Sequence, residues 1–155
     1  MSQIPQLQSA HALLFLDGCY ILQLRDDKPN IAAPGQWSLF GGLIQNGETP
    51  LQAVAREILE ELSIQPPQYD FLWHIDYIAE YEKEMIRSWF FEADVSMIWS
   101  SHILREGKAT GVFDHKETMN LAMPWVMRET IDRYEKRIHP AKESVSAVDE
   151  KGDFT

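Results

Sequence analysis

The chain has 155 residues, 45% of them apolar, enough for one domain with a sizeable hydrophobic core and too few for two. Its 24 Asp and Glu against 14 Lys and Arg give a net charge of −10, which repels a phosphodiester backbone and gives no general attraction to anionic lipid. Nucleic-acid and membrane partners are therefore not expected.

The longest apolar run, Ala12 to Leu16, falls far short of the roughly 20 residues that a membrane-spanning helix needs. No Lys or Arg precedes Arg25, so no charged segment opens a secretory signal, and a cytoplasmic location is expected. Cys19 has no second cysteine to pair with and reads as a small buried hydrophobe in a strand.

In chain order, His11 to Leu16 and Cys19 to Arg25 read as two antiparallel strands joined at Asp17-Gly18, a pair suited to a tight hairpin turn. Asp26 to Gln36 holds Pro29, Asn30, Pro34 and Gly35 and is expected to be a surface loop, followed by a short strand from Trp37 to Phe40 that runs into Gly41-Gly42. Thr49 to Leu62 is the strongest helix signal. Thr49 caps it, Pro50 occupies the first turn, and Gln52 completes a capping box. Leu51, Val54, Ala55, Ile58, Leu59 and Leu62 recur at helical spacing and form the expected buried stripe, and Pro66-Pro67 closes the segment. Phe71 to Glu80 and Met85 to Val95 read as a long aromatic hairpin around Glu82-Lys83-Glu84. Pro124 to Arg137 reads as a closing helix with Trp125, Val126, Ile131 and Tyr134 inward, and the chain from residue 138 reads as a polar, disordered tail.

Chemistry concentrates in the central helix. At roughly 100° per residue, Glu57, Glu60 and Glu61 fall within about one third of its circumference, away from the apolar stripe. Like charges at that spacing oppose helix formation, and Arg56, four residues before Glu60, cannot cancel all three. A hard divalent cation is the natural partner, since Mg²⁺ takes oxygen ligands and commonly bridges protein carboxylates to substrate phosphates. The plain alternative is a solvated acidic helix face. Against it stand Gly41-Gly42, which permit close backbone approach, and Glu48, which adds a carboxylate just before the helix.

Gly42, Glu48 and the run Arg56-Glu57-Ile58-Leu59-Glu60-Glu61-Leu62-Ser63-Ile64 together resemble the Nudix box, Gly-x5-Glu-x7-Arg-Glu-U-x-Glu-Glu-x-Gly-U, with U aliphatic. Flanking residues extend the resemblance to about Arg137: Arg25, Trp37, Leu104-Arg105-Glu106-Gly107, Phe113 and Glu117. Ser63 replaces the box glycine at the helix end, where a left-handed turn costs other residues roughly 1 to 2 kcal/mol. It is expected to affect stability and not chemistry. Phe40 stands where many relatives carry proline.

The resemblance implies an α/β fold, an α/β/α sandwich with a mixed, partly antiparallel sheet, over residues 1–137. It implies Mg²⁺-dependent hydrolysis of the diphosphate linkage of a nucleoside diphosphate derivative, whether nucleoside triphosphate, ADP-ribose or nucleotide sugar, with Mn²⁺ as a substitute ion. By the same resemblance Glu57 and Glu61 are the first metal ligands, Glu60 a third, and Glu48 a support or second-ion ligand. Arg56 orients these carboxylates and Gly42 shapes their approach. The catalytic base is either Glu61 itself or a later glutamate, Glu106 first, with Glu80, Glu82, Glu84 and Glu117 behind it. Trp37, Phe40, Tyr81 and Trp89 are candidates to stack on a base, Arg25 and Arg87 to pair with phosphate, and Gly41 to line the approach. His74 and His115 read as structural or surface residues. The partner is thus a small nucleotide, and the exposed aromatic hairpin would suit a homodimer. The competing class is a nucleotide-binding or sensing module of the same family that does not turn over its ligand.

Overall fold

A computed structural model describes residues 4–140. The elements in order are β1 (Leu7–Leu16), β2 (Cys19–Leu24), β3 (Trp37–Ser38), β4 (Phe40–Leu43), α1 (Pro50–Leu62), β5 (Asp70–Ile78), β6 (Met85–Asp94), β7 (Ala109–Phe113), α2 (His115–Thr118) and α3 (Trp125–Ile138). The polar tail expected from residue 138 lies, from residue 141 on, outside the described residues.

All seven strands join one mixed sheet. β1 runs parallel to β6 and antiparallel to β2 and β4, β5 pairs antiparallel with β6, and β7 with β2. The expected β1–β2 hairpin forms, with Asp17 at φ 49° and Gly18 at φ 82°, the two left-handed residues of a tight hairpin turn. Because side chains alternate along a strand, β1 feeds two cores. Ala10, Ala12 and Leu14 pack with Ile21 and Phe40 against α1. Leu13 packs with Tyr20, Leu22 and Phe90 against Val126, Met127 and Ile131 of α3. Helices cover both faces of the sheet, as the expected sandwich requires. None of the described helices is long and apolar enough to cross a membrane.

The structure corrects several expectations. Leu51 and Leu59 are exposed, whereas Ala53, Val54, Ile58 and Leu62 are buried. Leu59 stands roughly 100° around α1 from Ile58, and Leu51 sits in the first turn, at the end of the helix. Trp125, in the first turn of α3, is also exposed and touches Tyr77 edge-on. Cys19 is half-buried. Gly41 and Gly42 lie inside strand β4 and not in a loop. β7 and α2 were not anticipated; the Asp114 and Glu117 side chains cap α2 reciprocally, which gives Glu117 a structural task. The aromatic hairpin forms and leaves Phe71, Ile78 and Met85 exposed.

Phe40, expected at the substrate, is fully buried beneath α1 with Val54, Ile58 and Leu62. Its role is packing. Phe40→Ala should therefore lower unfolding free energy by about 3–5 kcal/mol in urea titrations, with the Michaelis constant of any substrate little changed.

Candidate active site

Thr49 and Gln52 form the expected capping box at the start of α1, with bonds of 3.1 and 2.9 Å. From that fixed start the helix presents Glu57 and Glu61 one turn apart. Glu61 is not on a solvent face. It stands roughly 60° from Ile58, is only 2% exposed, and its carboxylate enters the sheet. There Oε1 accepts a hydrogen bond from the Gly41 N–H at 3.0 Å, and Oε2 accepts one from the Gln23 side-chain amide at 3.2 Å. Gln23, a buried amide in the otherwise apolar strand Cys19–Leu24, was not singled out in the sequence; its polarity among those neighbours was the available signal.

Burial, then the charges of Glu57 and Glu106, push the Glu61 carboxyl up to about 8, against the two hydrogen bonds that favour its ionised form. Glu57 is also raised, first by burial and in part by Glu60 and Glu106, although Arg56 opposes the shift. Three carboxylates from two separate segments thus repel one another across a short space.

Arg56 collects the remaining acids. Its Nε and Nη2 reach Glu48 at 2.7 and 2.9 Å, its Nη1 reaches Glu57 at 2.9 Å and Glu60 at 3.3 Å, and Nη2 also reaches the Leu43 carbonyl at 3.1 Å. The Arg56 contact holds the Glu48 carboxyl below its ordinary value. Glu60 is half exposed on the outer side of the helix. Gly42 makes room for Glu57: a β-carbon at residue 42 would lie 2.6–2.8 Å from the Glu57 carboxyl atoms. At Gly41, a β-carbon would lie 2.2 Å from the Ala10 carbonyl oxygen.

The other expected site residues fall in different places. Arg25 donates from Nε to the Ala32 carbonyl at 2.7 Å, bracing the loop after β2. Trp37 meets the Phe113 ring edge-on at 4.9 Å, at the border of the α3-side core. Arg87 forks Asp76 at 2.7 and 2.9 Å and lies over Trp89, so its guanidinium is already paired. Trp89 donates to the Gln8 side chain, and Tyr81 to the Asn30 carbonyl. Glu80, Glu82 and Glu84 are exposed at the hairpin turn. A chain of polar groups that sequence reading missed links His11, Ser9, Ser88 and Tyr77 at 3.1, 2.6 and 2.9 Å.

As a donor set, Glu57 and Glu61 suit a hard divalent cation: both offer carboxylate oxygen, and at both the surrounding protein disfavours the ionised form, which a cation would stabilise. Among the described residues no group of three or more His, Cys, Asp or Glu is arranged to hold a metal. Mg²⁺ often takes only one or two protein carboxylates and keeps its waters, so a pair is sufficient.

Comparison with known proteins bears on family and fold. The family model for the NUDIX domain matches residues 7–147. A nucleoside triphosphatase, NudI, from Salmonella arizonae is 47% identical over 49 residues, which make up 32% of this chain and 34% of that protein. The chain therefore spans about a third of the length of these curated relatives. Among solved structures, the MutT protein from Methanosarcina mazei Go1 superposes with a TM-score of 0.75 at 20% identity, covering 90% of this chain and 99% of that one. The NUDIX domain of Shewanella oneidensis NrtR, solved with ADP ribose, gives a TM-score of 0.71 at 18% identity, covering 86% of this chain and 89% of that one. The chain belongs to the NUDIX domain family.

Two outcomes follow from the site. A raised Glu61 carboxyl stays protonated in the fold where the unfolded chain is ionised, so its contribution to stability is complete below its ordinary value of 4.5 and is lost as pH rises through about 8. A divalent cation pairs only with the ionised form, so the cation-induced rise in melting temperature should be small near pH 5 and larger near pH 8, and Glu61→Gln should remove most of that difference in thermal denaturation. Gly42→Ala should displace the Glu57 carboxylate and weaken Mn²⁺ binding, followed by calorimetry, by about tenfold or more, a loss of the size seen when groups supporting a metal ligand are disturbed.

Proposed function

We propose that the chain is a Mg²⁺-dependent pyrophosphohydrolase that cleaves the diphosphate linkage of a small nucleotide, with a nucleoside triphosphate as the first substrate class. The observation that carries this reading is the convergence of the Glu57, Glu61 and Glu106 charges beside the Gly41-Gly42 strand, with Arg56 fixing the flanking acids. The stretch shared with the Salmonella nucleoside triphosphatase supports the choice of substrate class.

In this reading Glu57 and Glu61 hold the ion, and Glu60 and Glu48 sit behind them as charges balanced through Arg56. When bound, Mg²⁺, or Mn²⁺ in its place, neutralises charge on the phosphate oxygens and on the leaving group. Arg56 keeps Glu57 oriented through its Nη1 hydrogen bond, and Gly41 with Gln23 keeps the Glu61 oxygens in place. Glu106, on the exposed loop facing these acids, takes the proton from the attacking water as general base. Arg25 stands near the end of β2 as a candidate for a terminal phosphate. The protein acts in the cytoplasm on a small nucleotide and needs neither nucleic acid nor membrane.

A second reading, ligand sensing without turnover, draws support from the NUDIX domain of NrtR solved with ADP ribose. A panel of nucleoside triphosphates, ADP-ribose and nucleotide sugars with Mg²⁺ or Mn²⁺, scored by product identity, separates the two. Release of inorganic pyrophosphate is expected from a triphosphate, and binding without any product would favour the sensor. Glu61→Gln should lower turnover by about 100-fold or more while the protein stays folded by circular dichroism.

A further inference from the structure

We propose that Ser63 and Arg105 form a latch that positions Glu106 against the carboxylates of α1, making the helix-terminating serine a positioning residue for the reaction. This deepens the hydrolase reading and rests on it.

A helix leaves its last carbonyls without partners inside the helix. Here the loop after the single turn Trp99–Ser101 supplies them. The Ile103 N–H donates to the Leu62 carbonyl at 2.9 Å, and the Arg105 N–H donates to the Glu61 carbonyl at 2.8 Å. Just beyond, the Lys108 N–H donates to the Leu24 carbonyl at 2.9 Å. Glu106 is therefore strung between two backbone anchors, one of which is the backbone of Glu61 itself.

One side-chain bond completes the attachment: Arg105 donates from Nε to the Ser63 hydroxyl. Ser63 stands at φ 55° and ψ 33°, the left-handed conformation that favours glycine. If the position only ended the helix, glycine would serve better, and it has no hydroxyl. Sequence reading assigned Ser63 to stability alone, because its partner lies 42 positions away along the chain.

The test compares Ser63→Gly, Ser63→Asn, Arg105→Met and the Ser63→Gly/Arg105→Met pair. Melting temperature and hydrogen exchange of the loop amides at residues 103–107 are measured on the protein alone. Turnover is measured on the triphosphate hydrolysed best in the panel above. Ser63→Gly should melt no lower than wild type, yet its loop amides should exchange about fivefold faster and kcat should fall about tenfold at nearly constant KM. Asparagine tolerates the left-handed region and offers an acceptor, so Ser63→Asn should recover most of both losses. Arg105→Met should match Ser63→Gly, and the pair should lose no more than either alone, as expected of one shared contact. Unchanged exchange in Ser63→Gly, or losses that simply add in the pair, would overturn the latch. If wild type hydrolyses no nucleotide, the hydrolase reading fails, and the exchange measurements decide the latch by themselves.

Discussion

The site depends on one enclosed carboxylate. Glu61 sits in the seam between α1 and the sheet, where a backbone N–H from β4 and an amide from β2 each take one of its oxygens. Those two bonds act beside the apolar contacts of Val54, Ile58 and Leu62 in setting which face of the helix meets the sheet. With Glu61 pointing inward, Glu57 is carried to the Gly42 surface and Glu60 to the outside, where Arg56 gathers it together with Glu48. Burying an ionised carboxylate costs several kcal/mol unless its charge is balanced. Two hydrogen bonds from neutral donors leave it in need of a proton or a cation.

Strand β4 explains how a helix can come that close. The pair Gly41-Gly42 looks like loop material in the sequence, yet both residues are held in register opposite His11 and Ala10. Their use is the removal of side chains on the two sides of one strand. At Gly41 the space is taken by β1, and at Gly42 by the Glu57 carboxylate. The largely apolar face of the sheet thus opens a polar notch beside Gly41 and Gly42, and α1 is laid across it.

Local features were the most legible. The α1 start, with Thr49, Pro50 and Gln52, and the Asp17-Gly18 turn are decided by neighbours within a few residues, and both form as expected. Arg56 also reaches Glu60 four residues on, as helical spacing requires. What stayed hidden is decided across the chain. The inward turn of Glu61 depends on Gln23 and Gly41, 38 and 20 residues away. Phe40 and Trp37 are both aromatic beside a Gly pair, and only the packing of two helices on opposite faces sends one fully into the α1 core and the other to the edge of the α3 core. β7 was missed because Ala109-Thr110-Gly111 carries little strand signal of its own; pairing with β2 supplies it.

The charge of the whole chain fits the same logic. A protein with a net charge of −10 has little to offer a polyphosphate at long range, and two of its arginines are already paired with acids. Arg56 serves Glu48, Glu57 and Glu60, and Arg87 is locked to Asp76. On the proposed reading, attraction has to arrive with the ion. Carboxylates that repel one another in the free protein become the means of holding a cation, and the cation is what an anionic substrate meets. On that reading, the burial and neighbouring charges that raise the Glu61 carboxyl would make the site depend on its ion, and affinity for a nucleotide would be tied to metal supply and not to a basic patch.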